Sequence, residues 1–192
     1  MAHPIRVPSM QRDPLHGERV VLKPLAREHL ARSVKWFNDS EVTYFLGREG
    51  PLTMAEEERW FDEYRQKIDE EIYGIHVEGA HIGNIGLHRI DRVNRKADVG
   101  IVIGEHDFWS KGHGTDAMRT ILRYAFEHLR LHKVSLDVLD YNERALRSYE
   151  KCGFVREGVR RDDLFKRNRF VNLIRMSILE AEFRRTSASG VR

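Results

Sequence analysis

Two stretches of this sequence combine residue types and spacings that could do chemistry. The first is Trp109-Ser110-Lys111-Gly112-His113-Gly114-Thr115, between an apolar, strand-like run (Val99 to Ile103) and a periodic segment expected to be helical from Thr115 to about Arg130. Two glycines one residue apart let the backbone bend sharply and approach a ligand closely. The helix behind them aims unpaired N–H groups and its positive dipole end into the bend, which suits phosphate or pyrophosphate. The same residues also make an ordinary strand-to-helix turn, so the rest of the chain has to decide. The second stretch runs from Asn142 to Phe154. Asn142 is a good N-cap. Ala145 and Tyr149, four apart, share a helix face on which a small residue beside a phenol leaves room for a narrow chain; otherwise Tyr149 is a half-buried helix tyrosine.

The elements that must position these residues can be followed along the chain. Arg19 to Pro24 alternates around Val20 and Leu22 as a strand, and Arg27 to Phe37 reads as a helix with Leu30, Val34 and Phe37 on one stripe. That helix is expected to end in an Asn38-Asp39-Ser40 turn. A second helix starts at Thr53, with Glu56 at the capping-box position and Glu56-Glu57-Glu58 complementing the dipole. Trp60, Phe61 and Tyr64 form its buried stripe. Tyr73 to Val77 and Ala80 to Ile90 flank a Glu78-Gly79 hairpin turn, and Ala97 to Ile103 follows the Asn94-Arg95-Lys96 turn as a third strand. Gly100 inside that strand marks a bulge or a close ligand approach. After the glycine turn, Met118, Ile121, Leu122, Ala125, Phe126 and Leu129 recur on one helical face. Lys133 to Leu139 reads as a strand, Asn142 to Lys151 as a short helix with Gly153 as its C-cap glycine, and Phe154 to Arg160 and Phe170 to Leu179 as closing strands. Residues 1–17, with three of the five prolines, read as a flexible arm, 18–183 as one domain and 184–192 as a disordered tail. This order predicts an α+β fold with helices packed on a mixed, mostly antiparallel sheet.

Composition narrows the function. With 192 residues, 41% apolar and 33% charged, the chain fits one soluble globular domain. Its 33 cations against 30 anions leave no strong field for nucleic acid, and Arg160-Arg161 and Lys166-Arg167 read as solvated loop charges. The single Cys152 excludes an internal disulfide and fits a reducing cytosol. No apolar run approaches the roughly 18 residues of a membrane span, and the first 20 residues lack a signal-peptide core, so a cytoplasmic location without membrane contact is expected. His128 and His132 stand at ligand spacing on one helix face, but with no third ligand evident no metal is expected.

Together the two stretches resemble the GNAT superfamily of acyl-CoA-dependent N-acetyltransferases, and within it the RimJ/RimL-like branch. Trp109 to Gly114 matches the signature Q/R-x-x-G-x-G/A, with Trp109 at the Gln/Arg position, and Asn142 to Phe154 matches N-x-x-A-x-x-x-Y-x-x-x-G-F. Asn94 to Gly100 (NRKADVG) and Arg169 to Leu179 (RFVNLIRMSIL) also look like that branch, so the likeness covers about residues 18 to 180. The resemblance implies a GNAT-like sheet with helices on both faces and two strands splayed apart to take acetyl-CoA. It implies a pyrophosphate site on Lys111 to Thr115, with Trp109 and Ser110 leading into it, and a pantetheine arm along Ile101, Val102 and Ile103, closed over by Asn142, Ala145 and Tyr149. Tyr149 is then the expected general acid for the departing thiolate, and Asp98, where the branch often has Glu, the expected base through a water, with Glu105 in reserve. The acceptor pocket implied is walled by Trp36, Phe37, Tyr44, Phe45 and Trp60, with Asp98 beside it. Asn172 stands where the branch often has Asp, which removes an anchor for a cationic substrate. The acceptor is an amine on a small molecule or a protein N-terminus, attacking directly in a ternary complex; homodimerisation is left open.

Two other readings compete. Gly112-x-Gly114-x-x-Ala117 with Asp137 about 20 residues on satisfies a dinucleotide fingerprint, but Gly104 to Lys111 separate those glycines from the strand. A CoA-binding regulator without turnover would share the fold, and release of free CoA in the presence of amines separates it from an enzyme.

Overall fold

The computed structural model describes residues 13–48 and 50–189, with side chains through 186. The part of the arm before residue 13 and the last three residues of the expected tail lie outside the described residues. Among the described residues eight strands form one sheet: β1 (Leu15–His16), β2 (Val21–Pro24), β3 (Glu71–Val77), β4 (Ala80–Asp91), β5 (Lys96–Ile103), β6 (Lys133–Leu139), β7 (Val155–Lys166) and β8 (Arg169–Leu179). They lie in the order β1-β2-β3-β4-β5-β6-β8-β7, antiparallel at every described seam except the parallel β5–β6. The helices are α1 (Leu30–Phe37), α2 (Ser40–Tyr44), α3 (Met54–Tyr64), α4 (His113–Arg123), α5 (Glu143–Lys151) and α6 (Glu180–Ser189). Helices α1 and α3 cover one face of the sheet through Leu30, Phe61 and Tyr64, which pack with Leu25 and Ile72. On the other face α4, α5 and α6 close the larger core. There Met118, Ile121, Leu122, Ala125 and Phe126 are all fully buried, and each large side chain so buried contributes about 1.5–3 kcal/mol.

Local chemistry accounts for the element ends. Thr53 Oγ1 accepts from the Glu56 N–H while the Glu56 carboxylate accepts from the Thr53 N–H at 2.8 Å, completing the expected capping box of α3. Asn142 Oδ1 accepts from the Ala145 N–H at 3.2 Å and caps α5. Asp116, in the first turn of α4, accepts from the Glu18, Arg19 and Val20 N–H groups at 2.7 to 3.2 Å and so fixes the entry to β2.

Several expectations need correction. Leu15 and His16 pair with Leu22 and Val21, so the described end of the arm is already part of the sheet. The chain from Arg184 to Ser189 continues α6 instead of fraying. The turn at 38–40 leads into α2, capped by Asp39, whose carboxylate accepts from the Glu41 N–H at 2.8 Å. The central helix starts two residues early, at His113, and widens into a π-helical segment over Tyr124–His128, where the Leu129 N–H reaches back to the Tyr124 carbonyl. His132 therefore lies beyond the helix that carries His128, and no group of three metal-ligating side chains forms among the described residues.

Three of the four paired basic residues, Arg160, Arg161 and Lys166, stand on strand β7, whereas Arg167 lies in the turn that follows it. They belong to the long β7–β8 hairpin, and Lys166 is 2% exposed, donating to the carbonyls of Thr43 and Leu46 at 2.7 Å and of Arg48 at 3.3 Å. Gly100 is paired regularly with Gly86; the register shift lies on β4 between His88 and Asp91, where Arg89 has φ 50°. A bulge bends the strand that carries it. Strand β5 follows β4 through that bend and leaves β6 after three pairs, Lys96–Lys133, Ala97–Val134 and Asp98–Ser135. Strand β6 meanwhile pairs with β8 along its whole length, from Lys133–Leu179 to Leu139–Leu173.

Candidate active site

The divergence of β5 from β6 opens a cleft of about 1080 Å³. From Val99 to Ile103, the backbone groups of β5 that face β6 have no strand partner. Side chains alternate across a strand, so Val99, Ile101 and Ile103 turn to the α4 face and join its core, whereas Gly100 and Val102 turn to the α1/α3 face. The cleft thus passes through the sheet and is open to both layers.

On the α4 side stands the glycine turn. Gly112 is the N-cap of α4 with φ 86°, a left-handed conformation that costs a non-glycine residue about 1–2 kcal/mol. Within this first turn the Gly112 carbonyl accepts from the Asp116 N–H at 3.0 Å, and the N–H groups ahead of it point out of the helix end. Gly112, His113, Gly114 and Thr115 line the cleft, as do Trp109 and Ser110. Lys111 is exposed and outside the lining; its carbonyl accepts from Arg19 Nη1 at 3.3 Å. The Nδ1 atom of His113 is buried with no hydrogen-bond partner among the described residues. Trp109 is positioned by its indole N–H, which donates to the Ile103 carbonyl at 2.7 Å, with the Arg144 guanidinium 4.2 Å over the ring.

Helix α5 forms the opposite bank, and Asn142, Ala145 and Tyr149 line it. No hydrogen bond to another described residue occupies the Tyr149 hydroxyl, and the ring packs 5.9 Å from Phe154. Burial, reinforced by Cys152, raises the phenol above its ordinary value. It therefore keeps its proton and stands as a donor over the neutral pH range.

The expected bases are engaged elsewhere. Asp98 does not line the cleft. Its Oδ2 accepts from Arg89 Nε at 2.8 Å and from the same guanidinium's Nη2, and its Oδ1 accepts from Arg175 Nη2 at 2.7 Å. Glu105 is likewise outside the lining and accepts from Lys35 Nζ at 3.1 and 3.2 Å and from the Trp36 indole at 3.0 Å. Burial pushes its carboxyl up, but the Trp36 bond and the Lys35 ammonium outweigh this and hold it below the usual range. A carboxylate whose lone pairs already serve cations is a weak proton acceptor.

Of the aromatic residues expected around the acceptor, Phe37, Phe45 and Trp60 line the cleft. Trp36 does not: it is wholly buried under Gly104, where any Cβ would strike its ring. Tyr44 also stands away from the cleft, packed on Phe45 and Tyr141 with Arg167 4.8 Å over its ring. The Lys166 bonds to the 43–48 backbone hold this wall in place.

Residues not anticipated at the cleft include Glu57, Arg144 and Ser148. A signal for Glu57 existed: it precedes Phe61 by four and Tyr64 by seven, on the same helical stripe.

A cleft through a split sheet, with a glycine-capped helix end on one bank and a free tyrosine hydroxyl on the other, can be compared with known proteins. Residues 19–155 match the model of the acetyltransferase (GNAT) domain. The chain belongs to the GNAT acetyltransferase family. It is 37% identical over 110 residues to YdaF of Bacillus subtilis, named provisionally as a ribosomal N-acetyltransferase; that alignment covers 57% of this chain and 60% of YdaF. It is 29% identical over 164 residues to the spermidine N(1)-acetyltransferase of Escherichia coli, covering 85% and 88% of the two chains. The crystal structure of spermidine N-acetyltransferase from Vibrio cholerae in complex with CoA and spermine superposes with a TM-score of 0.82 at 26% identity, covering 86% of this chain and 98% of the other. The chain is accordingly an acetyl-CoA-dependent N-acetyltransferase acting on an amine, with the cleft as its candidate active site. None of the described helices is long and apolar enough to cross a membrane.

Proposed function

We propose that this acetyltransferase acylates a primary amine of a small cationic molecule by direct attack in a ternary complex, with the cosubstrate on the α4/α5 side and the acceptor on the α1/α3 side. The observation that carries this reading is the through-sheet cleft, which opens to both layers where β5 and β6 part. The residues fit a CoA: outward N–H groups and an unpartnered His113 nitrogen for the diphosphate, and an open β5 edge for the pantetheine amides. Acetyl-CoA, when bound, supplies the activated acyl carbon.

The chain's own residues then do three things. Gly112 to Thr115, reached past Trp109 and Ser110, orient the diphosphate with backbone N–H groups, and Lys111, outside the lining, keeps no such role. Ile101 to Ile103 hold the arm and present an N–H to the thioester carbonyl. Asn142 and Ala145 close over the arm while Tyr149 donates its hydroxyl proton to the departing sulfur. The parent thiol lies near 8.5, below the raised phenol, so complete transfer is uphill and the hydrogen bond itself carries much of the stabilisation. The proton lost by the attacking nitrogen leaves through water, since Asp98 and Glu105 are both held in ion pairs.

Within the family we assign the chain to the RimJ/RimL-like branch on Asn94 to Gly100 and Arg169 to Leu179, and to the cytosol on its single buried Cys152. The test is a panel of small amines and peptide N-termini with acetyl-CoA, read by free thiol release. Turnover of small amines above peptides supports the reading; preferential turnover of peptide N-termini overturns the acceptor assignment.

A further inference from the structure

Among the described residues four carboxylate or ammonium groups are buried: Glu57, Glu71, Asp116 and Lys166. Protein partners satisfy three of them. Glu71 accepts from the Tyr124 hydroxyl at 2.8 Å, Asp116 takes three backbone N–H groups, and Lys166 donates to three carbonyls. Glu57 is different. It is 5% exposed, and no hydrogen bond or ion pair with another described residue reaches its carboxylate. Arg48 acts on it only through space, its guanidinium lying 5.3 Å over the Phe37 ring. The flanking Glu56 is spent on the α3 cap, and Glu58 faces solvent.

The Glu57 side chain lines the cleft on the acceptor side, within a wall of Phe37, Val42, Leu52, Trp60 and Ile72. A lone carboxylate in such a wall is costly unless a cation meets it. Burial raises its pKa accordingly. An ammonium seated there would stay protonated, because an adjacent anion favours the charged form. A nitrogen that must attack a thioester has to be neutral. The nitrogen held by Glu57 is therefore not the one acetylated. The position agrees: Phe61 and Tyr64 seat α3 on Ile72 of β3, two strands away from the β5 edge.

Building on the acetyl-transfer reading above, we propose that Glu57 is a specificity residue that anchors a second, unreacting ammonium of the acceptor, so that linear diamines and polyamines are favoured over monoamines. The experiment compares alkyl monoamines with diamines and a triamine of matched chain length, in the full chain and in Glu57→Gln, with Glu57→Met as a second variant of similar volume. The wild-type chain is expected to show kcat/KM at least tenfold higher for the diamines. Both variants are expected to lose that advantage through a tenfold or larger rise in diamine KM with kcat within about threefold. An acetyl-CoA-induced rise in Tm confirms that each variant is folded. A diamine-to-monoamine ratio that survives Glu57→Gln, or an equal loss for both classes, overturns the assignment. If the wild-type chain acetylates amines without preferring diamines, this inference falls while the acetyl-transfer reading stands; if it acetylates none, both fall.

Discussion

The Thr115 and Ser148 hydroxyls lie 2.8 Å apart, and this hydrogen bond ties the first turn of α4 to the helix that carries Tyr149. The two halves of the proposed cosubstrate site, the glycine turn and the helix of Tyr149, are thereby fixed relative to each other across 33 residues of sequence.

Replacing Tyr149 with Phe removes a hydroxyl that no described protein group needs. Its loss should lower kcat by about 10²-fold or more, the usual worth of a positioned proton donor. The acetyl-CoA dissociation constant should move less than about threefold, and Tm should be unchanged within about 2 °C. Steady-state kinetics beside cosubstrate titration checks the split; a kcat near wild type removes Tyr149 from the chemistry.

Gly112→Ala tests the cradle. A Cβ there would meet only Arg19 Nη1, at 3.8 Å, so the penalty is conformational and not steric. We expect a loss of about 1–2 kcal/mol of stability. Relaxation of the turn should raise the KM for acetyl-CoA about tenfold with little change in the acceptor KM, and should shrink the Tm rise that acetyl-CoA induces.

Asp98→Asn should leave the acid limb of the kcat–pH profile in place, because the carboxylate it removes is held by two guanidiniums away from the cleft. Its effect should appear in stability. Leaving Arg175 short of one partner in a half-buried setting should cost about 1–2 kcal/mol, between the values for exposed and buried pairs. Chemical denaturation and a pH–rate series separate the outcomes, and disappearance of the acid limb would restore Asp98 as the base.

Much of this was legible in the sequence where the signal is local. Strand β6 falls on Lys133–Leu139, the residues read as a strand, and Thr53, Asn142 and Gly153 end their helices as their side chains or backbone freedom dictate. The glycine turn and the α5 face were legible because a helix end and an i, i+4 pair are short-range geometry. What was not legible depended on distant partners. Trp36 carries the composition of a pocket residue, yet packs under Gly104, 68 positions away in sequence. Lys166 reads as a surface charge until the 43–48 backbone, more than 100 residues distant, supplies its acceptors. Asp98 loses its candidacy to Arg175, on a strand reached only after two further helices. Helix α2, with five residues, is too short to show a hydrophobic period at all.

Acid should weaken the fold through a buried histidine cluster under α1. The Ala26 N–H donates to His29 Nδ1 at 2.9 Å, so His29 carries its proton on Nε2, 3.2 Å from His76 Nε2. His81 is held by Asn84 Oδ1 at 2.8 Å. Burial, with the neighbouring histidines, pushes His29 and His81 down to about 4, and burial lowers His76 as well. Between about pH 6.5 and 4 the unfolded chain thus binds more protons than the folded one, so stability rises with pH over that window and is lost on acidification. The slope can reach about 1.4 kcal/mol per pH unit for each histidine. Urea midpoints from pH 7 to 4.5 should fall accordingly, and His81→Gln, whose amide can still face Asn84, should flatten the decline.

The three residue pairs that join β5 to β6 leave the sheet unfinished until something lies along the open edge. On the reading proposed above, a cosubstrate would complete that seam and bind only the folded chain, adding about 2.7 kcal/mol to stability at a hundredfold excess over its Kd. Proteolytic lifetime in a cell would then track the supply of CoA and its acyl esters, which share the arm and diphosphate that would lie along that edge.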